Sequence, residues 1–172
     1  MMWQNPKALV TTKPGKGRKC INEILNRILI KDIDARVIEY VQNVAIVYSN
    51  LDSLVVYGLL FASPPSCAEK VYPFQLIINS TNEKEIVVNV INFIKNKTKD
   101  LKTFYVRCYN RGIDVNCREI EMGVGIGLKG LINVDFKDPE VVLHVNVLKE
   151  FAGISLLRKN QEKFRATLLD KI

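Results

Sequence analysis

Histidine and tryptophan are nearly missing: the 172 residues contain one of each. The four cysteines, Cys20, Cys67, Cys108 and Cys117, form no C-x-x-C pair. With His144 as the one imidazole, that pattern speaks against a zinc site. Unpaired thiols without an export signal lead to the expectation of free cysteines in a reducing cytoplasm. The opening MMWQNPK has no apolar signal core. The longest apolar run, 54–62, is far short of the ~20 residues a membrane span needs. No nucleophile–base pair and no paired carboxylates stand out. The expectation is therefore a chain without catalysis, metal or cofactor of its own.

What is abundant is positive charge and apolar volume. Lys and Arg number 25 against 18 Asp and Glu, a net charge of +7, and 48% of the residues are hydrophobic. The second figure supports a packed core and excludes disorder as the general state. The first points to a polyanionic partner, nucleic acid or an acidic membrane surface, although many basic proteins bind neither.

Periodicity divides the chain. Residues 8–12 read as a strand, and 18–30 as a helix with Ile21, Ile24, Leu25, Ile28 and Leu29 on one face. Residues 35–41 and 44–49 are β-branched runs around a Gln42-Asn43 hairpin turn. Asp52 can cap a helix over 53–62, stopped by Ser63-Pro64-Pro65. Residues 71–78, with Pro73 inside, read as one edge strand. This β-α-β-β-α-β order is the ferredoxin-like one. The polar cluster 79–82 separates it from a helix over 83–99 and a strand over 103–111. A helix capped by Asn116, with Glu119 three residues on, comes next. A turn over 135–139, strands over 141–149 and 153–157, and a polar tail from Arg158 complete the chain. The expected class is α/β (α+β), with domains over 1–78 and 79–172.

Two glycine-rich stretches resemble phosphate loops in spelling only. Gly125–Gly130 fits G-x-G-x-x-G, but it follows the Asn116 cap instead of opening a helix. Inside a helix no free N–H groups remain to hold a phosphate, so a dinucleotide site is excluded. The glycines serve either close packing or close approach of an RNA backbone beside Lys129. Gly15-Lys16-Gly17 lacks the residues of an ATPase loop. Lys13, Lys16, Arg18 and Lys19 nevertheless surround a helix start, either a place for one phosphate or a solvated basic turn.

The run TFYVRCYNRG, Thr103–Gly112, alternates. Phe104, Val106 and Cys108 face one side; Tyr105, Arg107, Tyr109 and Arg111 face the other. Tyrosine stacks on unpaired bases and arginine pairs with phosphate, so this stripe is either an RNA-binding face or a solvated one. On 141–147, His144 falls among the polar alternates and reads as a surface residue.

Residues 104–150 resemble the THUMP domain of tRNA-modifying proteins. The resemblance rests on F-x-V-R with a second arginine before a glycine, a helix opening near C-R-E-I, V-D-F-K-D-P, and a strand of alternating valines. It extends over about residues 83–157, behind a first half similar to the ferredoxin-like domain that precedes THUMP. ALVTTKPGKGRKCINEIL is similar to the opening of the stand-alone adaptor for tRNA acetylation. The resemblance implies tRNA binding at the acceptor end. By motif it assigns RNA contacts to Arg107, Arg111, Asn116, Arg118, Lys129 and Lys137, beside Tyr105 and Tyr109 of the stripe. No S-G-G-x-D-S and no [DN]-P-P-[YF] motif occurs before Ile172. It therefore implies a non-catalytic partner of a separate enzyme, a cytidine acetyltransferase. The alternative is the RNA-binding part of a tRNA methyltransferase or 4-thiouridine synthase. A small-molecule-sensing ferredoxin-like module is a third reading.

Overall fold

The computed structural model describes residues 5–97 and 100–164. They form a mixed α+β chain of two sheets and four helices, divided into two compact units. One unit holds residues 5–74 and 161–164; the other is Gln75–Asn160.

The first unit runs β1 (Pro6–Thr12), α1 (Gly17–Leu29), β2 (Arg36–Val41), β3 (Val44–Tyr48), α2 (Ser53–Ala62) and β4 (Ala68–Pro73). Its sheet has the order β2-β3-β1-β4 with all neighbours antiparallel. Asn43 turns the β2–β3 hairpin at φ 64°, a value asparagine tolerates better than most residues. The Asp52 side chain accepts from the Leu54 N–H at 2.9 Å and starts α2. Val10, Ile24, Ile28, Val47, Val56 and Leu60 fill the core, each fully buried side chain contributing about 1.5–3 kcal/mol. Leu29 falls outside it.

Asp32 ties the end of α1 to the end of β3. Its carboxylate accepts from Ser49 Oγ (2.7 Å), Asn50 N–H (2.8 Å) and Asp34 N–H (3.1 Å). Burial works to raise its pKa, but these donors outweigh it and hold the carboxyl below its ordinary value.

Two expectations are corrected here. The cysteines are not free: Cys20 joins Cys67 and Cys108 joins Cys117, with Cα separations of 5.5 and 5.2 Å. Neither pair is close in a C-x-x-C sense, because the fold, not the spacing, brings them together. The inference to a reducing compartment loses its premise. Residues 71–78 are also not one strand. Phe74 and Gln75 break the run into β4 and β5 (Leu76–Ile78), which belong to different sheets. Proline ends β4 and so limits the ladder there.

The second unit continues with α3 (Glu83–Lys97), β6 (Thr103–Asn110), α4 (Cys117–Gly127), β7 (Asn133–Val134), β8 (Val141–Val147) and β9 (Ala152–Leu157). Its order is β5-β9-β8-β6-β7. β6 is parallel to both β8 and β7, the arrangement a helical crossover produces. Ile86, Val90 and Ile94 of α3 and Ile120 and Val124 of α4 pack on Phe104, Leu143 and Val145. Leu131 lies beyond α4 and is exposed. Of the polar tail, Lys163 bridges Lys70; positions 165–172 of that expectation lie outside the described residues.

A candidate nucleic-acid interface on β6 and α4

β6 carries the alternating stripe and α4 folds back beside it. Asn116 caps α4 as expected, its side-chain oxygen accepting from Glu119 N–H at 3.1 Å. The reciprocal bond comes from elsewhere: Asn116 N–H donates to Glu83 Oε1 of α3 at 3.0 Å. That donor pulls the exposed Glu83 carboxyl below its ordinary pKa. Asn116 is thus committed to the helix start, whatever else it touches. The Cys108–Cys117 bridge fastens the same end of α4 to β6.

The glycines of α4 now have a local reason. A Cβ on Gly123 would lie 2.9 Å from Val87 Cγ2, and one on Gly127 would collide with Ile91 Cδ1. Both residues are on α3, so these two glycines let the helices approach closely. Gly125 faces the other way, with Val134 Cγ2 at 3.6 Å from its missing Cβ. Gly130, at φ +87°, ends the helical turn with Leu131 and Ile132 N–H both donating to the Leu128 carbonyl.

The stripe is a layered arrangement of rings and guanidinium groups. Arg107 lies over the Tyr105 ring at 5.6 Å and Arg111 over the Tyr109 ring at 4.9 Å. The exposed Arg107 remains fully charged. Burial works to lower its pKa, but Tyr109 and Tyr105 outweigh it and hold it up. Arg111 is anchored twice, by its N–H to the Val147 carbonyl (2.9 Å) and by Nε to Asn146 Oδ1 (2.9 Å). The Tyr109 hydroxyl is hydrogen-bonded to His144 Nδ1 at 3.0 Å, and the two rings stack.

His144 is therefore no surface residue: it is 1% exposed, and Asn146 is 0%. Register places His144 opposite Arg107 and Asn146 opposite Tyr109. Both flank the stripe on β8 and hydrogen-bond to it, a role missed because a polar alternate on one strand gives no sign of what covers it. Their signal was position: β8 has strands on both sides.

The remaining candidates separate by place. Arg118 stands in the first turn of α4, near the end of β6 that carries Arg111. Lys129 lies two residues past the end of α4. Lys137 sits in the turn 135–139, where Asp135 Oδ1 accepts from the N–H of Lys137 (2.9 Å) and Asp138 (3.0 Å). Those donors hold the exposed Asp135 carboxyl below its usual pKa. Phe136, part of the V-D-F-K-D-P motif but not among the expected contacts, projects beside Tyr105 with ring centroids 5.2 Å apart. In the first unit, the N-terminus of α1 that was offered for a phosphate meets the Glu39 carboxylate, which lies where a Gly17 Cβ would be.

Among the described residues no group of three His, Cys, Asp or Glu could hold a metal. No described helix is long and apolar enough to cross a membrane.

No curated protein matches the sequence. Three solved structures share the fold. PH1313 from Pyrococcus horikoshii Ot3 has 15% identity and a TM-score of 0.63, over 90% of this chain and 55% of that one. TrmN from Thermus thermophilus has 18% identity and a TM-score of 0.61, over 88% and 45%. A 4-thiouridine synthetase solved with RNA and ATP has 16% identity and a TM-score of 0.53, over 90% and 42%. This chain thus spans about half the length of those proteins. A family model, that of the THUMP domain, matches residues 80–157, most of the second unit.

Proposed function

We propose that this chain binds tRNA through its THUMP domain and presents it to a separate modifying enzyme. The observation that carries the reading is the match over 80–157, supported by the Arg107 and Arg111 guanidinium groups layered over Tyr105 and Tyr109 on β6. Arg107 and Arg111 are held by rings and by Asn146, so little side-chain entropy is lost when they meet phosphate. The chain docks the acceptor end without chemistry of its own. The partner in this reading is a cytidine acetyltransferase, as the opening of the sequence suggests.

Titration of labelled tRNA against the full chain tests this. Affinity should fall steeply between low and high salt as counterions are released. Arg107→Ala and Arg118→Ala should each cost about 1.5–3 kcal/mol of binding, as lost charged hydrogen bonds do. Salt-independent binding would overturn the reading.

A second reading has its own support: one fold relative is named a 4-thiouridine synthetase and was solved with RNA. Here the chain is the RNA-binding part of such an enzyme or of a tRNA methyltransferase. Purification from native lysate separates the two. An acetyltransferase in the eluate favours the first, and a methyltransferase or ATP-dependent thiolation enzyme the second.

A further inference from the structure

A groove of about 500 Å³ runs between α4 and the edge of β6. Its floor is main chain. β7 pairs only with Thr103 and Phe104. The Phe104 carbonyl is taken by Asp135 N–H (2.9 Å), and Cys108 N–H by Glu121 Oε2 (3.1 Å). Main-chain groups along one strand edge belong to alternate residues. The N–H and C=O of Val106 therefore turn towards this edge, between two closed positions, and Val106 lines the groove.

Its walls are unusually apolar for an exposed surface. Phe136 is 76% exposed, Ile126 69% and Met122 52%. Tyr105 meets Phe136 edge to face. Gly125 keeps the middle open. Arg118 lines the groove as its cation, and Arg107 sits over the Tyr105 ring.

These features select among occupants. The volume lies in the roughly 300–1,000 Å³ range of small-ligand sites, too little for a helix about 10–12 Å across. One residue's N–H and C=O are too few for strand addition, which uses a row of them. A flat ring with donors and acceptors on its edge, an apolar face and an attached anion fits all three parts.

The geometry points to this groove as a pocket for one unpaired nucleobase of bound RNA. The base stacks on Phe136 beside Tyr105, its edge pairs with the Val106 main chain, and its phosphate meets Arg118. The assignment rests on the RNA-binding reading above and adds a subsite to it.

Two RNA hairpins with the same stem test it against the full chain, one blunt and one with a short single-stranded extension containing 2-aminopurine. The extended hairpin should bind more tightly, with 2-aminopurine emission quenched by stacking. Phe136→Ala should weaken that complex roughly tenfold or more and leave the blunt one unchanged. Phe136→Trp should restore it, which a merely structural residue at an exposed position would not require. Unchanged affinity and emission in Phe136→Ala, with Arg107→Ala still weakening both hairpins, would overturn the pocket and leave the RNA-binding reading standing. Wild-type protein that binds neither hairpin would remove both. Tight filling of the groove by free AMP without preference for the extension, or loss of a protein partner alone in Phe136→Ala, would also overturn the assignment.

Discussion

At the scale of single residues, the three α4 glycines divide into opposite expectations. Gly123→Ala gains helix propensity of up to about 1 kcal/mol. It also drives a methyl group against Val87, a β-branched side chain with one strongly preferred rotamer in a helix. Overpacking of this kind costs about 1–3 kcal/mol, so the variant should melt earlier than wild type. Gly125→Ala meets only an ordinary contact with Val134; it should be neutral or stabilising. Thermal unfolding of the two variants side by side checks the assignment, and equal shifts would contradict it. The cysteines give a second residue-scale test. All four are paired, so a thiol assay on denatured, unreduced protein should find none free. Sequence spacing could not show this, since Cys20 and Cys67 are 47 positions apart.

At the scale of elements, the ends of helices and strands carry the consequences. Asn116→Ala removes the α4 cap and should lower stability by about 1 kcal/mol in a denaturant titration. If RNA affinity falls no further than that loss explains, Asn116 is a cap and not a contact. Asp32 links α1 to β3 through three donors. Its folded pKa is depressed, so its stabilisation is present above the unfolded carboxyl value near 4 and is lost as pH falls through the folded value. Asp32→Asn should therefore flatten the acid limb of stability against pH below about 4. It should also cost about 1–3 kcal/mol at neutral pH through its weakened bonds. A variant with the wild-type acid limb would contradict the sign. The hairpin at Asn43, the helix at Asp52 and the helix at Asn116 were all readable, because local hydrogen bonding sets them. The break at Phe74–Gln75 was not, since an unbroken β-branched run does not say which sheet each half will join.

At the scale of the whole molecule, the +7 charge bears on the proposed partner more than on the fold. Charge of this size raises encounter with a polyanion and makes it salt-dependent. The sequence by itself determined the α+β class, the two element series, the alternation on β6 and the THUMP resemblance. The first three follow from periodicity and local chemistry along the chain; the last rests on the ordered motifs of residues 104–150. Only the tertiary structure decided where each cation stands. It set Arg107 and Arg111 over the Tyr105 and Tyr109 rings, Arg118 in the first turn of α4 and Lys129 past the end of that helix. It buried His144 and Asn146 beside the stripe, paired the cysteines, placed Phe136 beside Tyr105, and set Glu39 against the start of α1. Each of these depends on residues far apart in sequence meeting through sheet order and helix packing, and no local pattern encodes that meeting.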